Sequence, residues 1–274
     1  MSGLPRVGFI GVGTIAEALI MGMCAGGEQR ATFLLSPRNA DIAKRLAERF
    51  SFVEVAGNNQ AVIDGSDIIF LAIRPQVAAD VLGALEFRRD QRIVSLIATF
   101  DVARLRKLVA PANSITRAAP LPAVARRLGP LTLYPPVPEI AKLLEGLGQL
   151  VQLQNESDLD AFWAVTGFMG SYFGLLDEIA RWLSRHNLED TQVRPFVAAM
   201  FEALAVTASE HAKDGFDRLA VEHSTPGGLN EQAYRELKAA GWTSLVSQTL
   251  DLIHARILGH ATLADRLPTS HGSA

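Results

Sequence analysis

The 274-residue chain has a single cysteine, Cys24. An intramolecular disulfide framework and a cysteine-based zinc site are therefore excluded. It contains no run of 18 or more apolar residues, so no segment reads as a membrane-spanning helix. Met1–Arg6 is too short and too polar for a secretory signal, and the apolar run that starts at Val7 is broken by glycines. The formal net charge is −3 and no basic run occurs, which sets nucleic-acid binding aside. His186, His211, His254, His260 and His271 show no metal-ligand spacing together with acidic partners, so no metal is expected. There is no internal repeat and no low-complexity segment. These absences favour a soluble, cytoplasmic protein of enzyme size with no membrane partner expected, and its length points to two domains or one large one.

Hydrophobic residues make up 49% of the chain, enough for a sizeable core. The first half alternates short β-branched runs with helical segments, as expected for a βαβ series and a parallel-rich sheet. Strands are expected at Val7–Ile10, Thr32–Leu35, Phe52–Val55, Ile68–Ala72, Ile93–Ile97 and Ser114–Arg117, with edge strands at Leu131–Tyr134 and Leu150–Leu153. Helices are expected over 14–25, 38–49, around Ala61, and over 76–84. Near residue 155 the texture turns wholly helical, with helices over 158–165, 173–185, 193–211, 230–240 and 242–257. The organisation expected is an α/β Rossmann-like cofactor domain over 1–155. An all-helical substrate and dimerisation domain over 156–274 follows, with a frayed tail after about residue 262.

The first strand runs into Gly8-Phe9-Ile10-Gly11-Val12-Gly13-Thr14-Ile15-Ala16, a G-x-G-x-x-A turn opening a helix. Gly11 permits a tight turn, Gly13 lets the backbone approach a pyrophosphate, and Ala16 allows close packing of helix on strand. The free N–H groups of the helix start would face the anion, and Thr14 and Ile15 supply the first of them. The bland alternative is a glycine turn that merely packs.

The end of the second strand reads Leu34-Leu35-Ser36-Pro37-Arg38-Asn39, with no carboxylate before Asp41. An acidic residue there would hold a ribose 2′-hydroxyl and repel a 2′-phosphate. Ser36, Arg38 and Asn39 instead offer donors and a fixed positive charge. NADPH is the favoured cofactor, with NADH still open and an ordinary surface arginine as the plain reading of Arg38. Ala72, Arg74 and Pro75 follow the fourth strand at the carboxyl edge, beside the expected ribose and nicotinamide. Arg74 reads equally as a phosphate partner or a loop charge.

These residues carry a resemblance to the pyrroline-5-carboxylate reductase family. Gly11–Leu19 resembles that family's first turn and helix, Ser36-Pro37-Arg38 its phosphate segment, and Asn59 an asparagine near the adenosine ribose. Leu71–Gln76 resembles its valine-lysine-proline-glutamine strand end, with arginine for lysine. Ser224-Thr225-Pro226-Gly227-Gly228 resembles part of its C-terminal signature, followed here by Leu229 and Asn230 where threonines are usual. The methionine-proline-asparagine turn is Ala119-Pro120-Leu121, and the alanine-alanine-glycine after the fifth strand is Ala98-Thr99-Phe100. The resemblance implies NAD(P)H-dependent reduction of 1-pyrroline-5-carboxylate to proline by a homodimer with interleaved helical domains.

A cyclic imine is a good electrophile once protonated, so positioning outweighs acid catalysis and no obvious triad is needed. Ser224–Asn230, with a helix opening at Asn230, is the expected substrate-carboxylate segment. His223, Tyr172 and Glu231 are available as proton donors, but none is assigned as catalytic. Two rivals stay open: a reductase of another cyclic imine or ketimine, and a non-catalytic NADPH-binding homologue. A hydroxyacid dehydrogenase is disfavoured because 177–210 contains no lysine.

Overall fold

The computed structural model describes residues 4–25 and 29–267. Its elements run β1 (Arg6–Ile10), α1 (Thr14–Cys24), β2 (Thr32–Leu35), α2 (Ala40–Arg49), β3 (Val53–Val55), α3 (Asn59–Asp64) and β4 (Ile68–Leu71). Next come α4 (Pro75–Gly83), β5 (Arg92–Ser95), α5 (Val102–Leu108), β6 (Ser114–Pro120), β7 (Pro130–Tyr134), α6 (Pro138–Leu144) and β8 (Gln149–Gln152). The remainder is helical: α7 (Glu156–Thr166), α8 (Met169–Ser184), α9 (Asp190–Glu210), α10 (Phe216–Glu222), α11 (Leu229–Ala239) and α12 (Trp242–Ile257). Among the described residues, compact packing divides the chain into 4–163 with 254–262, and 164–253 with 263–267.

In the first unit eight strands form one sheet in the order β3-β2-β1-β4-β5-β6-β7-β8. All neighbours pair parallel except β6 and β7, where the short connection through residues 121–129 returns the chain antiparallel. All four residues of β4 are buried, which is why its apolar run does not alternate. Successive side chains of the central strands feed two cores on opposite faces of the sheet. Phe9, Phe33, Phe70 and Val94 join Leu19, Ile20 and Met23 of α1 on one face, where the Phe9 and Phe70 rings stack at 4.7 Å. Ile10, Ile69, Leu71 and Ile93 meet Val62, Ala78, Leu82 and Leu105 of α3, α4 and α5 on the other. Each fully buried large aliphatic contributes about 1.5–3 kcal/mol, so the two cores dominate this unit's stability.

Several expectations needed adjustment. Helix α2 starts at Ala40 rather than residue 38, because the turn from Pro37 leaves Asn39 at the N-cap. Helices α5, α6 and α10 were not anticipated; at seven residues each they are too short to show a periodic apolar pattern. Strand β6 runs three residues past Arg117 because its end pairs with β7.

The helical unit looks different. Helices α8 and α9 pack against each other, and α9 buries Val193 and Val197. The stripe Phe196, Met200 and Leu204, spaced four residues apart on the same helix, is left exposed. Phe173 of α8 and Leu245 of α12 are also open, with Phe173 at 64% exposure. Among the described residues no helix is long and apolar enough to cross a membrane.

Candidate active site

The order of strands reverses at β1, which pairs with β2 on one side and β4 on the other. Loops leaving the carboxyl ends of these strands diverge there and leave a crevice, the place where open α/β sheets bind ligands. The loops that border it are Gly11–Gly13, Ser36–Asn39 and Ala72–Arg74.

Gly11 has φ +90°, and a Cβ there would lie 2.6 Å from the carbonyl oxygen of Ala72. Only glycine fits that turn. Gly13 is the N-cap of α1 with no side-chain cap, and a Cβ placed on it would meet nothing within 4 Å. No side chain caps the first N–H groups of this 11-residue helix, and the space beside Gly13 is open, an arrangement that suits a pyrophosphate. Ala16 is fully buried and sets α1 against the sheet, while Thr14 is exposed and Ile15 half-buried. Gly8 has another task. It lies in β1, where a Cβ would meet Ser66 Oγ at 2.5 Å and Val62, so it admits α3 and the turn after it.

Ser36 is buried and its Oγ accepts the Gly11 N–H at 2.9 Å. The hydroxyl thus braces the glycine turn from the next strand and retains its own proton to donate. Arg38 and Asn39 are exposed beyond it, and the Arg38 side chain makes no ion pair or hydrogen bond among the described residues. Arg74, the N-cap of α4, is likewise exposed and unpaired, and Pro75 is the first residue of that helix. Asn59 opens α3 half-buried, and its neighbour Asn58 does the capping, accepting the Ala61 N–H at 2.8 Å. A dinucleotide fits this donor set. It offers a glycine cradle and free amides for the pyrophosphate, and unpaired guanidinium groups for further phosphate.

A larger cavity, about 610 Å³, opens at the opposite edge beside Leu4, Asp67, Arg92 and Lys142. It lies at the amino ends of β1, β4 and β5, across the sheet from the glycine turn, so it has no part in the dinucleotide site. Burial pushes the Cys24 thiol up to about 11, which leaves it protonated at neutral pH and no nucleophile.

In the helical unit Ser224–Asn230 forms a loop of its own. Gly227 has φ +74°, and the Gly228 N–H donates to the Thr225 carbonyl at 2.8 Å, closing a tight turn through Pro226. Helix α11 starts at Leu229 with Gly228 as N-cap, not at Asn230. Asn230 sits inside the first turn and its Nδ2 donates back to the His223 carbonyl at 2.9 Å. Glu231 accepts the Gly227 N–H at 2.6 Å, an anion at a helix N-terminus. Leu229 is 84% exposed. Ser224 Oγ donates to the Ala220 carbonyl, and His223 Nδ1 lies 2.9 Å from the Leu219 carbonyl oxygen. Tyr172 lies edge-on to Phe173 and Phe201.

One constellation escaped the sequence reading. Arg117 of β6 is 1% exposed and is among the largest buried side chains. Its Nη1 donates to Glu156 Oε1 at 2.8 Å and lies 2.9 Å from Asp160 Oδ1; its Nη2 donates to the Ala98 carbonyl at 2.7 Å. The Asp160 contact has ion-pair distance without hydrogen-bond alignment. Burial pushes the Asp160 carboxyl up, Arg117 draws it down, Glu156 raises it, and His254 lowers it. The available signal was a charge inside an apolar strand, Ile115-Thr116-Arg117-Ala118-Ala119. Among the described residues no cluster of metal-ligating side chains occurs.

A doubly wound sheet with a glycine turn at its switch point, an uncapped helix start and unpaired cations defines a dinucleotide-dependent oxidoreductase. Residues 6–99 match the family model described as NADP oxidoreductase coenzyme F420-dependent. Residues 156–258 match the one described as pyrroline-5-carboxylate reductase dimerisation. A pyrroline-5-carboxylate reductase of Pseudomonas aeruginosa is 30% identical over 278 residues, covering 96% of this chain and 98% of the relative. The chain belongs to the pyrroline-5-carboxylate reductase family. Its fold matches the 1-pyrroline-5-carboxylate reductase of Streptococcus pyogenes with a TM-score of 0.81 at 23% identity, over 94% of this chain and 100% of that one. It also matches the Plasmodium falciparum pyrroline carboxylate reductase solved with NADP bound, with a TM-score of 0.79 at 16% identity, over 95% and 100%.

Proposed function

We propose that this chain reduces 1-pyrroline-5-carboxylate to proline with NADPH. The observation that carries the reading is the open glycine turn at the switch point of the sheet, in a chain similar along nearly its whole length to reductases of that name. Residues 1–155 hold the cofactor and 156–274 bind substrate and the second subunit. Gly11, Gly13, Thr14, Ile15 and Ala16 form the pyrophosphate turn, with Gly8 behind it. Ser36, Arg38 and Asn39 take the 2′-phosphate, Asn59 the adenosine ribose, and Ala72, Arg74 and Pro75 the nicotinamide side. NADH is the weaker donor because the unpaired Arg38 gains a charged partner only from the 2′-phosphate.

When bound, the dinucleotide supplies a hydride to the imine carbon, and the nitrogen keeps the proton it carried as an iminium. The protein's part is positioning. The Ser224–Asn230 segment holds the substrate carboxylate with the Leu229 and Asn230 N–H groups at the start of α11 and the Thr225 hydroxyl, and water is excluded as the site fills. The active unit is a homodimer with interleaved helical domains, which covers Phe173, Phe196, Met200 and Leu204. Its working place is the cytoplasm, where NADPH is at hand.

The departures at Leu229, Asn230 and Leu121 favour one second reading, a reductase of a different cyclic imine. Asn230 is occupied by the His223 carbonyl, so the amide that stands where the resemblance implies a threonine hydroxyl is already engaged. The deciding assay follows NADPH oxidation with 1-pyrroline-5-carboxylate, pyrroline-2-carboxylate and piperideine carboxylates, each repeated with NADH. Proline formation, fastest from 1-pyrroline-5-carboxylate with NADPH, is the expected result. Turnover of another imine alone supports the second reading, and cofactor binding without any turnover defeats both.

A further inference from the structure

Arg117 stands on a strand whose neighbours in sequence are all buried, and a buried cation is costly unless every donor finds a partner. An apolar side chain of similar size would fill the same space at no such cost. What the guanidinium adds is direction, since its planar fork holds several acceptors at fixed angles. Here the acceptors come from separate parts of the chain. Ala98 lies in the 96–101 loop at the carboxyl end of β5, and Glu156 and Asp160 lie one turn apart on α7. Glu156 Oε1 is shared, because it also accepts the Val102 N–H at 2.8 Å, where that same loop enters α5. The loop is thus held at both ends through one ion pair. Phe100 is buried within it, with the Arg104 guanidinium 3.6 Å over its ring.

The loop's place gives the ion pair its importance. It leaves the carboxyl end of β5, next to the loop that leaves β4 and packs against Gly11. This is the ligand-binding edge of the sheet. A cavity of about 490 Å³ opens directly beside the cluster, bordered by Ala98, Thr99, Arg117, Glu156 and Asp160. The segment therefore faces open space on one side and has its carbonyl and its amide tied by Arg117 and Glu156 on the other.

We propose that Arg117 is a positioning residue. Through Ala98 and through Glu156 it fixes the 96–101 loop at the carboxyl edge, so that the bound imine and not the dinucleotide loses alignment when the ion pair is broken. The inference rests on the imine-reductase reading for its kinetic consequence, but not for its structural one.

Three variants test it: Arg117→Lys, Glu156→Gln and Asp160→Asn, the last two being mild enough to keep the fold if Arg117→Lys does not. Hydrogen exchange on the whole protein is measured beside steady-state turnover and NADPH titration. In Arg117→Lys and Glu156→Gln, amides of 96–102 should exchange at least about tenfold faster, while those of β1 and 11–16 stay as in the parent. NADPH affinity should hold within about twofold while kcat falls about tenfold or more. Asp160→Asn, which touches only the unaligned contact, should show the smaller change on both readouts. Unchanged 96–102 exchange in Glu156→Gln overturns the proposal. So does a turnover loss that merely parallels loss of NADPH binding and thermal stability, the pattern of a purely structural arginine. If the parent protein turns over no imine, the functional reading fails, and the exchange data alone then decide whether the ion pair fixes the loop.

Discussion

The sheet unit and the helical unit solve the problem of burial in opposite ways. The sheet closes two cores on its own chain, one on each face, and leaves β4 and the inner face of α1 (Ala16, Leu19, Ile20 and Met23) inaccessible. Helices α8, α10, α11 and α12 bury no residue fully, and α9 buries two, while a stripe of Phe, Met and Leu stays open along it. A unit with such faces is stable when another surface covers them. The difference teaches where each function resides. On the proposed reading cofactor recognition draws on the sheet unit alone, whereas the exposed faces of the helical unit agree with the homo-oligomer that its match to a dimerisation model suggests.

The sharpest way to break this comparison is at the glycine turn. Gly11→Ala must hold a Cβ at positive φ against the Ala72 carbonyl, and should cost about 2–5 kcal/mol of stability as well as NADPH binding. Gly13→Ala should separate the two effects. Its Cβ meets no protein atom within 4 Å, so Tm should stay within about 3 °C while NADPH affinity, read by fluorescence titration, drops about tenfold or more. A large Tm loss in Gly13→Ala would mean that this space serves packing and not a ligand.

On the helical side, Phe173→Asp should leave the cofactor titration unchanged and weaken self-association. Losing a Phe that the second copy covers costs about 1.5–3 kcal/mol per copy, before the added charge is desolvated. Light scattering across a dilution series checks it. Arg38→Ala should cost about 1.5–3 kcal/mol in NADPH binding and nothing with NADH, so the ratio of kcat/KM values for the two donors should fall about tenfold or more. The smallest effect belongs to Asp67. The Arg6 guanidinium holds its carboxyl below the usual range, so the pair stabilises at neutral pH and that contribution is lost as pH falls through the lowered value. Both side chains are exposed, so Asp67→Asn should cost less than about 1 kcal/mol at pH 7, and the gap from the parent in a urea melt should close in acid.

The sheet was legible because its signals are local. The run Ile68–Ala72 and the spacing Gly11-x-Gly13-x-x-Ala16 name a buried strand and a phosphate turn without reference to anything distant. What was hidden depends on contacts between remote positions. Arg117 meets Glu156 across 39 residues and Ser36 meets Gly11 across 25, and no periodicity announces such pairs. The start of α11 was misplaced for a related reason. Asparagine is a favoured N-cap, but Asn230 spends its amide on the His223 carbonyl, and Gly228 takes the cap position without a side chain. The apolar excess of 193–206 and 245–257 was visible in the sequence, whereas the direction in which each stripe faces needed the fold.

The most direct test of the contrast between the two units is the mass of the protein in solution. Sedimentation equilibrium at micromolar concentration should give twice the chain mass of 29.6 kDa or a larger multiple, in the absence of any ligand. A 29.6 kDa monomer at tens of micromolar, with full thermal stability, would contradict the account, because the open helical faces would then need no second copy.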